Sequence, residues 1–337
     1  MGSDRRIQFT RNVFVVDQGF LGQIHRVLNI NTKNSNSYQE QISIEKVARQ
    51  GPPSSGSNDT EVYRKYIEQE YLGRGFSLIF RILYQEHMST EECTLRLTPD
   101  ELCFSVSVDR ASMVWAELTQ THFFTEYIMN GVSEEQNEIY LEFDPAMFAK
   151  SLGSLRMTAK SVKIKLTNKR QPCLTIEIEL PSLSLESRQC LHDVPVRVIP
   201  RREWAEHQAP NIPEFDISVD MPQLKHVKHI VERMKNMSPR LTLEASKTGV
   251  FALKVDTDSA TVSTHFQELQ VWSSSQRNQE DKVSATIDIK KFFMFLAWDI
   301  VHPDGVKCNI VQDRVVNLFL HVADYVKIQY FLPSVFT

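Results

Sequence analysis

Alternating hydrophobic and polar positions predict that most of the chain forms short β-strands. Residues 92–109 show the pattern clearly, as two strands joined by a turn at Thr98, Pro99 and Asp100. Further strands are predicted at 7–16, 112–118, 137–143, 161–168, 173–180, 192–199, 216–221, 240–246, 250–256, 260–266, 283–289, 306–312, 315–322 and 325–332. Runs this short, with turn residues between them, are typical of antiparallel sheets.

Three segments have helical spacing instead of strand alternation. Residues 144–157 begin with Asp144 as the expected N-cap and Pro145 at the first helical position. The other two helices are predicted at 222–237 and 290–300, each directly after a strand. Helices are therefore few, and each one lies between a strand and a run of antiparallel strands.

The order of strand, helix and antiparallel strands recurs in the two halves of the chain. The run CTLRLTPDELCFSVSV in the first half corresponds to LTLEASKTGVFALKVD in the second, by pattern and not by residue identity. This duplication predicts an α+β fold with two domains built alike. We assign domain 1 to residues 1–197, a proline-containing connector to 198–215 and domain 2 to 216–337.

The composition and the cysteine spacing limit the classes of protein to which the chain can belong. The chain has a formal net charge of −4, 42% hydrophobic residues and five scattered cysteines without a C-x-x-C pair. Scattered cysteines in an odd number indicate reduced thiols in a cytosolic or nuclear protein. No apolar run reaches the roughly 18 residues of a membrane span, so we expect no membrane partner.

Enzyme motifs are missing from the sequence. It contains no G-x-x-x-x-G-K-[ST] loop, no G-x-G-x-x-G, no G-x-S-x-G and no H-E-x-x-H. His226 and His229 are three residues apart, but no further metal ligands accompany them. Nothing in these motifs calls for an enzyme, and we expect neither a cofactor nor a metal.

The helix predicted at 222–237 concentrates positive charge in an acidic chain. At about 100° per residue its apolar side chains share one arc, and its cations lie opposite. The cations are Lys225, Lys228, Arg233 and Lys235. Such a face is either solvated or a surface for a polyanion, whose phosphates release counterions when neutralised. Cations also lie on or directly beside the other two predicted helices, which favours a shared surface. They are Lys150, Arg156, Lys160, Lys290 and Lys291.

Six segments are long and distinctive enough to compare with known families. They are MVWAELTQTHFFTEYIMNGVSEEQNEIYLEF (113–143), KIKLTNKRQPCLTIEIEL (163–180), HDVPVRVIPRREW (192–204), VERMKNMS (231–238), STHFQEL (263–269) and IQYFLP (328–333). They closely resemble the Hus-one-type subunits of the heterotrimeric nine-one-one DNA damage checkpoint clamp. The resemblance runs in order from about Cys93 to the C-terminus.

The resemblance implies the sliding-clamp fold, in which two similar α+β domains carry antiparallel sheets outside and helices inside. Three different subunits close a ring around duplex DNA, which they hold through phosphates without reading bases. The implied DNA-facing residues of the channel helices are Lys150, Arg156, Lys160, Lys225, Lys228, Arg233, Lys235, Lys290 and Lys291.

Ring closure in that family joins the edge strands of adjacent subunits. By position, the two edges are Asp193, Val194, Pro195, Val196 and Arg197 on one side, and Thr261, Val262, Ser263 and Thr264 on the other. Pro195 indicates an edge by itself, and an ordinary free edge would explain it equally well. In that family the connector and the C-terminus imply a surface that binds client proteins. Its candidate residues, unless they belong to the core, are Ile199, Trp204, Phe331 and Leu332.

The resemblance also implies partners and a role. The partners are two other checkpoint clamp subunits, an ATP-driven clamp loader, duplex DNA, and repair and checkpoint proteins. The subunit would be nuclear, with a further cytoplasmic pool, and would be a non-catalytic platform for checkpoint kinase activation and DNA repair. Two alternatives stay open: a homotrimeric replication-type clamp, which would assemble alone, and a DNA-processing nuclease, which would cleave a duplex with a metal.

The N-terminal region departs from the family pattern. A polar segment at about 31–74 is extra, as an ordered loop or as a disordered insert. Both 14–27 and 76–88 fit the first channel helix. If 14–27 forms it, Arg26 would face DNA, and if 76–88 forms it, Arg81 would.

Overall fold

The structure is a computed structural model that divides into two compact units. It describes residues 13–16, 92–107, 112–131, 133–152, 161–180, 188–211, 214–273, 281–301 and 303–335. As far as they are described, Met1–Leu102 and Thr119–Ile199 form the first unit, and Cys103–Leu118 and Pro200–Thr337 the second. The insert at about 31–74 and most of both candidate first helices lie outside the described residues, and the predicted domain boundaries stay a prediction.

The first unit contains one antiparallel sheet. Its strands are β1 Val13–Val16, β2 Cys93–Leu97, β5 Phe124–Ile128, β6 Ile139–Phe143, β7 Ser161–Asn168, β8 Pro172–Leu180 and β9 Arg188–Val198. They are ordered β2-β6-β9-β8-β7-β1-β5 across the sheet. The first strand of the chain thus pairs with β5 on one side and β7 on the other.

The second unit contains two groups of strands. Its strands are β3 Glu101–Ser107, β4 Met113–Thr119, β10 Ile217–Asp220, β11 Arg240–Ser246, β12 Phe251–Asp256, β13 Thr261–Phe266, β14 Val271–Ser273, β15 Lys282–Asp288, β16 Gly305–Val311, β17 Val315–Ala323 and β18 Val326–Pro333. One group is ordered β14-β10-β16-β17-β18-β4-β3 and the other β13-β12-β11-β15. The strand β4, from early in the chain, therefore pairs with the C-terminal strand β18.

Three α-helices are described, together with short 3-10 helices. The α-helices are α1 Pro145–Leu152, α2 Leu224–Met234 and α3 Ile289–Phe295, and the 3-10 helices are Gln120–His122, Arg201–His207 and Leu296–Val301. Helix α2 is shorter than the predicted 222–237, because Gln223 has non-helical backbone angles and residues 235–237 form a turn. No helix in the described part of the chain is both long and apolar enough to cross a membrane.

The two units repeat the same strand order. The series β5-β1-β7-β8-β9 in the first unit corresponds to β14-β10-β16-β17-β18 in the second. Helix α1 follows β6 as α3 follows β15, and α2 follows β10. The α+β fold with two similar halves, predicted from the sequence, is confirmed.

Strand alternation and helix amphipathicity together build the core. On β7, Val162, Ile164 and Leu166 are buried, whereas the side chains between them are not. Helix α2 buries one stripe, made of Leu224, Val227, Val231 and Met234. Burying each such side chain contributes about 1.5–3 kcal/mol, so this stripe fixes how α2 is rotated against its sheet.

Aspartate caps begin the equivalent helices α1 and α3. Asp144 Oδ1 accepts hydrogen bonds from the backbone amides of Ala146 and Met147 at 2.7 and 3.3 Å. Asp288 Oδ1 accepts from those of Lys290 and Lys291 at 2.8 and 3.1 Å. Each cap satisfies amides that the first turn of a helix leaves without an intrahelical partner.

Replacing Asp288 by Ala should lower the free energy of unfolding by about 1 kcal/mol, because two amides of α3 lose their acceptor. Asp288→Ser should retain most of the stability, since a hydroxyl also caps. Urea unfolding of the full chain, followed by circular dichroism, measures both, with Asp258→Ala in an exposed turn as the control. Equal stability of Asp288→Ala and the wild type would contradict the capping role.

A polar cluster joins β8 and β9 in the first unit. The carboxylate of Asp193 accepts hydrogen bonds from Lys169 Nζ at 2.6 Å and from Thr175 Oγ1 at 2.6 Å. These bonds, with that of Lys169 first, lower the pKa of Asp193 below its ordinary value. The charged form is therefore favoured in the folded state.

Because its pKa is lower in the folded chain, Asp193 stabilises the fold fully above its unfolded pKa of about 3.9. That contribution is lost as the pH falls through the lowered pKa. The difference in melting temperature between the wild type and Asp193→Asn should shrink from pH 7 to pH 3. A difference that stays constant over this range, measured by calorimetry, would show that the carboxylate charge is not involved.

Candidate functional site

The solvent side of α2 carries more positive than negative charge, because Lys225 and Arg233 are exposed and Glu232 is the one acidic residue of the helix. Lys225, His226, His229 and Arg233 are all exposed. Opposite the buried stripe, at about 100° per residue, Lys225, His229 and Arg233 point most directly outward. The two histidines are not among the DNA-facing residues predicted from the sequence, although they share this face.

This arrangement of charge does not serve the helix itself. The first turn of α2 contains no acidic residue and begins with Lys225. Cations near a helix N-terminus are unfavourable, because the helix dipole places partial positive charge there. Neither does the side chain of Gln223 cap the helix. An external anion bound beside Lys225 would offset the unfavourable charge.

Two further cations, one on α2 and one directly after its last residue, lie toward α3. Lys228 and Lys235 are half-buried. Their Nζ atoms lie 6.0 and 3.8 Å from the ring centroid of Phe293 on α3. The structure thus brings α2 cations together with an aromatic side chain that sequence analysis did not select, because its partners come from another helix.

The lysines of α3 differ from each other. Lys290 is exposed, whereas Lys291 is half-buried and donates from Nζ to Ser112 Oγ at 3.1 Å. Lys150 is exposed on α1 in the first unit. The predicted residues Arg156 and Lys160 lie outside the described residues. The DNA-facing assignment of this whole set stays a prediction.

The candidate edge Thr261–Phe266 is the last strand of its group. Among the described strands, β13 pairs only with β12. Thr261 and Ser263 are exposed, and Val262 and Thr264 are half-buried. Thr261 Oγ1 donates to Asp256 Oδ1 at 2.6 Å, which contributes most to lowering the pKa of Asp256. The polar side chains keep this edge compatible with water.

The second candidate edge belongs to β9. Residues 188–195 pair with β8, and 196–198 with β6. Val194 and Val196 are buried and Pro195 is half-buried. The exposed Arg197 makes two bonds with the carboxylate of Glu142, at 2.7 and 2.6 Å. On the described part of the chain, no strand other than β8 pairs with residues 188–195.

The four predicted client residues are all buried. Ile199 follows β9, and Trp204 lies in the 3-10 helix Arg201–His207. Phe331 and Leu332 are neighbours on β18, so their side chains point to opposite faces of the strand. Phe331 packs with Cys103 and Trp115, and the half-buried Met113 borders this cluster. Cys103, Trp115 and Met113 were not predicted from the sequence as neighbours of Phe331, because they come from a distant part of the chain.

No group of three or more His, Cys, Asp or Glu side chains suited to a metal occurs among the described residues. The buried thiols of Cys93 and Cys308 have a raised pKa because burial disfavours the thiolate.

Curated proteins with similar sequences are checkpoint proteins. The chain is 42% identical over 251 residues to Checkpoint protein HUS1 of Homo sapiens, covering 72% of this chain and 89% of that protein. It is 31% identical over 247 residues to Checkpoint protein hus1 of Schizosaccharomyces pombe, covering 69% and 85%.

Solved structures with a similar fold are sliding clamps. PCNA from Thermococcus kodakaraensis has a TM-score of 0.56 at 15% identity, over 77% of this chain and 96% of that chain. A chain of the PCNA2-PCNA3 complex from Sulfolobus tokodaii has a TM-score of 0.54 at 15% identity, over 77% and 95%. The predicted sliding-clamp fold is thereby confirmed.

The family match covers most of the described chain. Residues 79–336 match the family described as Hus1-like protein. This family consists of checkpoint clamp subunits and not of enzymes, so the nuclease hypothesis is no longer supported and the replication-type clamp is the less supported alternative. The chain belongs to the Hus1-like family of checkpoint clamp subunits.

Proposed function

We propose that this subunit joins two different clamp subunits in a ring that encloses duplex DNA, with α2 and α3 facing the DNA. The observation that carries the proposal is the outward side of α2, where Lys225, His229 and Arg233 lie opposite a fully buried apolar stripe. The rotation of the helix is fixed by packing, so the cations cannot turn away from the solvent.

Phosphates are the partner chemistry that fits this surface. Lysine and arginine neutralise phosphates and release condensed counterions, which provides affinity without dependence on sequence. On α3, the exposed Lys290 extends the same charge, whereas Lys291 is engaged with Ser112. Lys150, Arg156 and Lys160 are proposed to play the corresponding role in the first unit. A ring that moves along DNA needs such contacts and no base contacts.

The subunit contacts are proposed at β9 and β13, and the second unit supplies a precedent for such a joint. There β18 and β4 pair antiparallel over six residue pairs, from Val326↔Leu118 to Phe331↔Met113. By the duplication, β9 corresponds to β18 and β13 corresponds to β4. An analogous joint between β9 of one subunit and β13 of the next would use edges of the same kind.

The remaining partners follow from the role of a clamp. We propose that an ATP-driven loader places the ring on DNA, and that the ring then serves checkpoint kinase activation and repair enzymes. The predicted client residues Ile199, Trp204, Phe331 and Leu332 are buried, which favours the alternative that they belong to the core, so we propose no client surface at them. The protein would act in the nucleus, with a further pool in the cytoplasm.

Reversing charge on α2 should weaken DNA binding while leaving assembly intact. For Lys225→Glu with Arg233→Glu, we expect an affinity loss of about tenfold or more and a salt slope reduced by about two, as two phosphate contacts are lost. Fluorescence anisotropy with a labelled duplex, using the three-subunit ring, measures both quantities.

The matched control is Lys327→Glu with Arg314→Glu, which makes the same charge change at exposed positions outside α2 and α3. Equal losses in the two double variants would mean that only net charge matters. In that case α2 would not be the DNA-facing surface.

Light scattering should give the mass of one chain for the protein alone, and of an equimolar complex when the two partner subunits are added. Ser263→Pro and Thr264→Pro then test β13, because successive amides of a strand point to opposite edges. The proline that removes an amide facing β12 should weaken the pairing of β13 with β12 and lower the unfolding midpoint. The proline that removes an amide of the outer edge should abolish the complex with little loss of stability.

Normal assembly of both proline variants would exclude β13 as the joint. A stable homotrimer of the wild-type protein alone would overturn the heterotrimer and favour the replication-type clamp.

A further inference from the structure

Phe293 is the aromatic side chain that α3 does not bury. Ile289, Phe292 and Phe295 point into the core, whereas Phe293 stays half-exposed on the side toward α2. Lys235 Nζ lies 3.8 Å from the centroid of its ring, and Lys228 Nζ lies 6.0 Å away. One ring therefore receives two ammonium groups from the neighbouring helix.

The spacing of the lysines produces this arrangement. Lys228 and Lys235 are seven residues apart, which is close to two helical turns, so both project from the same side of α2. Two like charges held near each other repel, and the negative face of an aromatic ring attracts both. Glu232 lies between them in sequence, but no ion pair joins it to either lysine among the described contacts.

An aromatic ring and a carboxylate hold a lysine with different consequences. A carboxylate fixes the ammonium group but cancels its charge. A ring fixes it through its quadrupole and leaves the full positive charge in place. A lysine held by a ring is therefore both ordered and available to a phosphate, and less side-chain entropy is lost when the phosphate binds.

We propose that Phe293 is a positioning residue for DNA binding, holding Lys228 and Lys235 in place as phosphate-binding cations. This inference rests on the proposed DNA-facing role of α2 and α3. Phe293 itself makes no phosphate contact. Its removal leaves the number of charges unchanged, so it should alter affinity without altering the dependence on salt.

The variants Phe293→Leu and Phe293→Tyr separate the ring from simple apolar packing. In the three-subunit ring, Phe293→Leu should bind a fluorescein-labelled duplex about two- to fivefold more weakly, with the salt slope of the wild type. Phe293→Tyr keeps the ring and should bind within about twofold of the wild type. Lys235→Met calibrates the assay, since losing one phosphate contact should lower the slope by about one.

A second measurement tests the contact without DNA. In protein labelled with carbon-13 at the lysine Cε, the ring current of Phe293 should shift the Lys235 resonance upfield. That shift should disappear in Phe293→Leu and persist in Phe293→Tyr. If the wild-type protein shows no such shift, the contact does not form in solution and the inference fails.

The outcomes distinguish this inference from the proposed function. Unchanged affinity of Phe293→Leu, together with a large loss in Lys225→Glu with Arg233→Glu, overturns the positioning role alone. Unchanged affinity in both overturns the DNA-facing role of α2, and the inference falls with it. Equal losses in Phe293→Leu and Phe293→Tyr assign the effect to packing and also overturn the role of the ring.

Discussion

A strand at the end of a sheet leaves the backbone groups of one edge without a partner in that sheet, and this constraint connects the fold to assembly. Within the second unit, β4 closes the edge of β18 through antiparallel pairing. The equivalent edges, on residues 188–195 of β9 and on β13, have no such partner among the described strands, whereas residues 196–198 of β9 pair with β6. The duplication that gives the fold its two halves thus satisfies one edge internally, and the corresponding edges are the ones proposed to join other chains.

Helix packing imposes the second constraint, since it decides which side chains of α2 face the solvent. The buried stripe of α2 fixes its rotation, so the charge pattern is set by positions three and four residues apart along the sequence. The helix tolerates an unfavourable cation in its first turn because tertiary burial, and not its own electrostatics, maintains it. Phe293 lies beside two further cations and adds no opposing charge.

Local patterns predicted most of the described strands, because alternation is a property of neighbouring residues. The bounds of β7 and β11 agree with the sequence, whereas β5 and β14 were missed. Most of β5 is not buried and β14 has three residues, so neither has a clear apolar alternation. The ends of α2 were predicted too far out, since the apolar period continues through Met237 while the backbone leaves the helix at Met234.

Contacts between distant segments could not be predicted from the sequence, and they change the candidate site most. Nothing local links Lys291 with Ser112, which is 179 positions away, or Phe331 with Trp115. Lys291 looked equivalent to Lys290 by sequence, yet its ammonium group has a partner in the fold. Residue type and helix face can therefore predict where charge gathers, but tertiary contacts decide which cations remain available.

The internal joint between β18 and β4 differs from the candidate edge β13 in the way that a permanent contact is expected to differ from a separable one. The internal joint pairs Phe331 with Met113 and Gln329 with Trp115, so large apolar side chains line it. On β13, the exposed positions are Thr261, Ser263 and His265. A polar edge costs little when it faces water, which protects an unassembled subunit from non-specific pairing. The joint at β13 would accordingly depend more on backbone hydrogen bonds than on apolar burial.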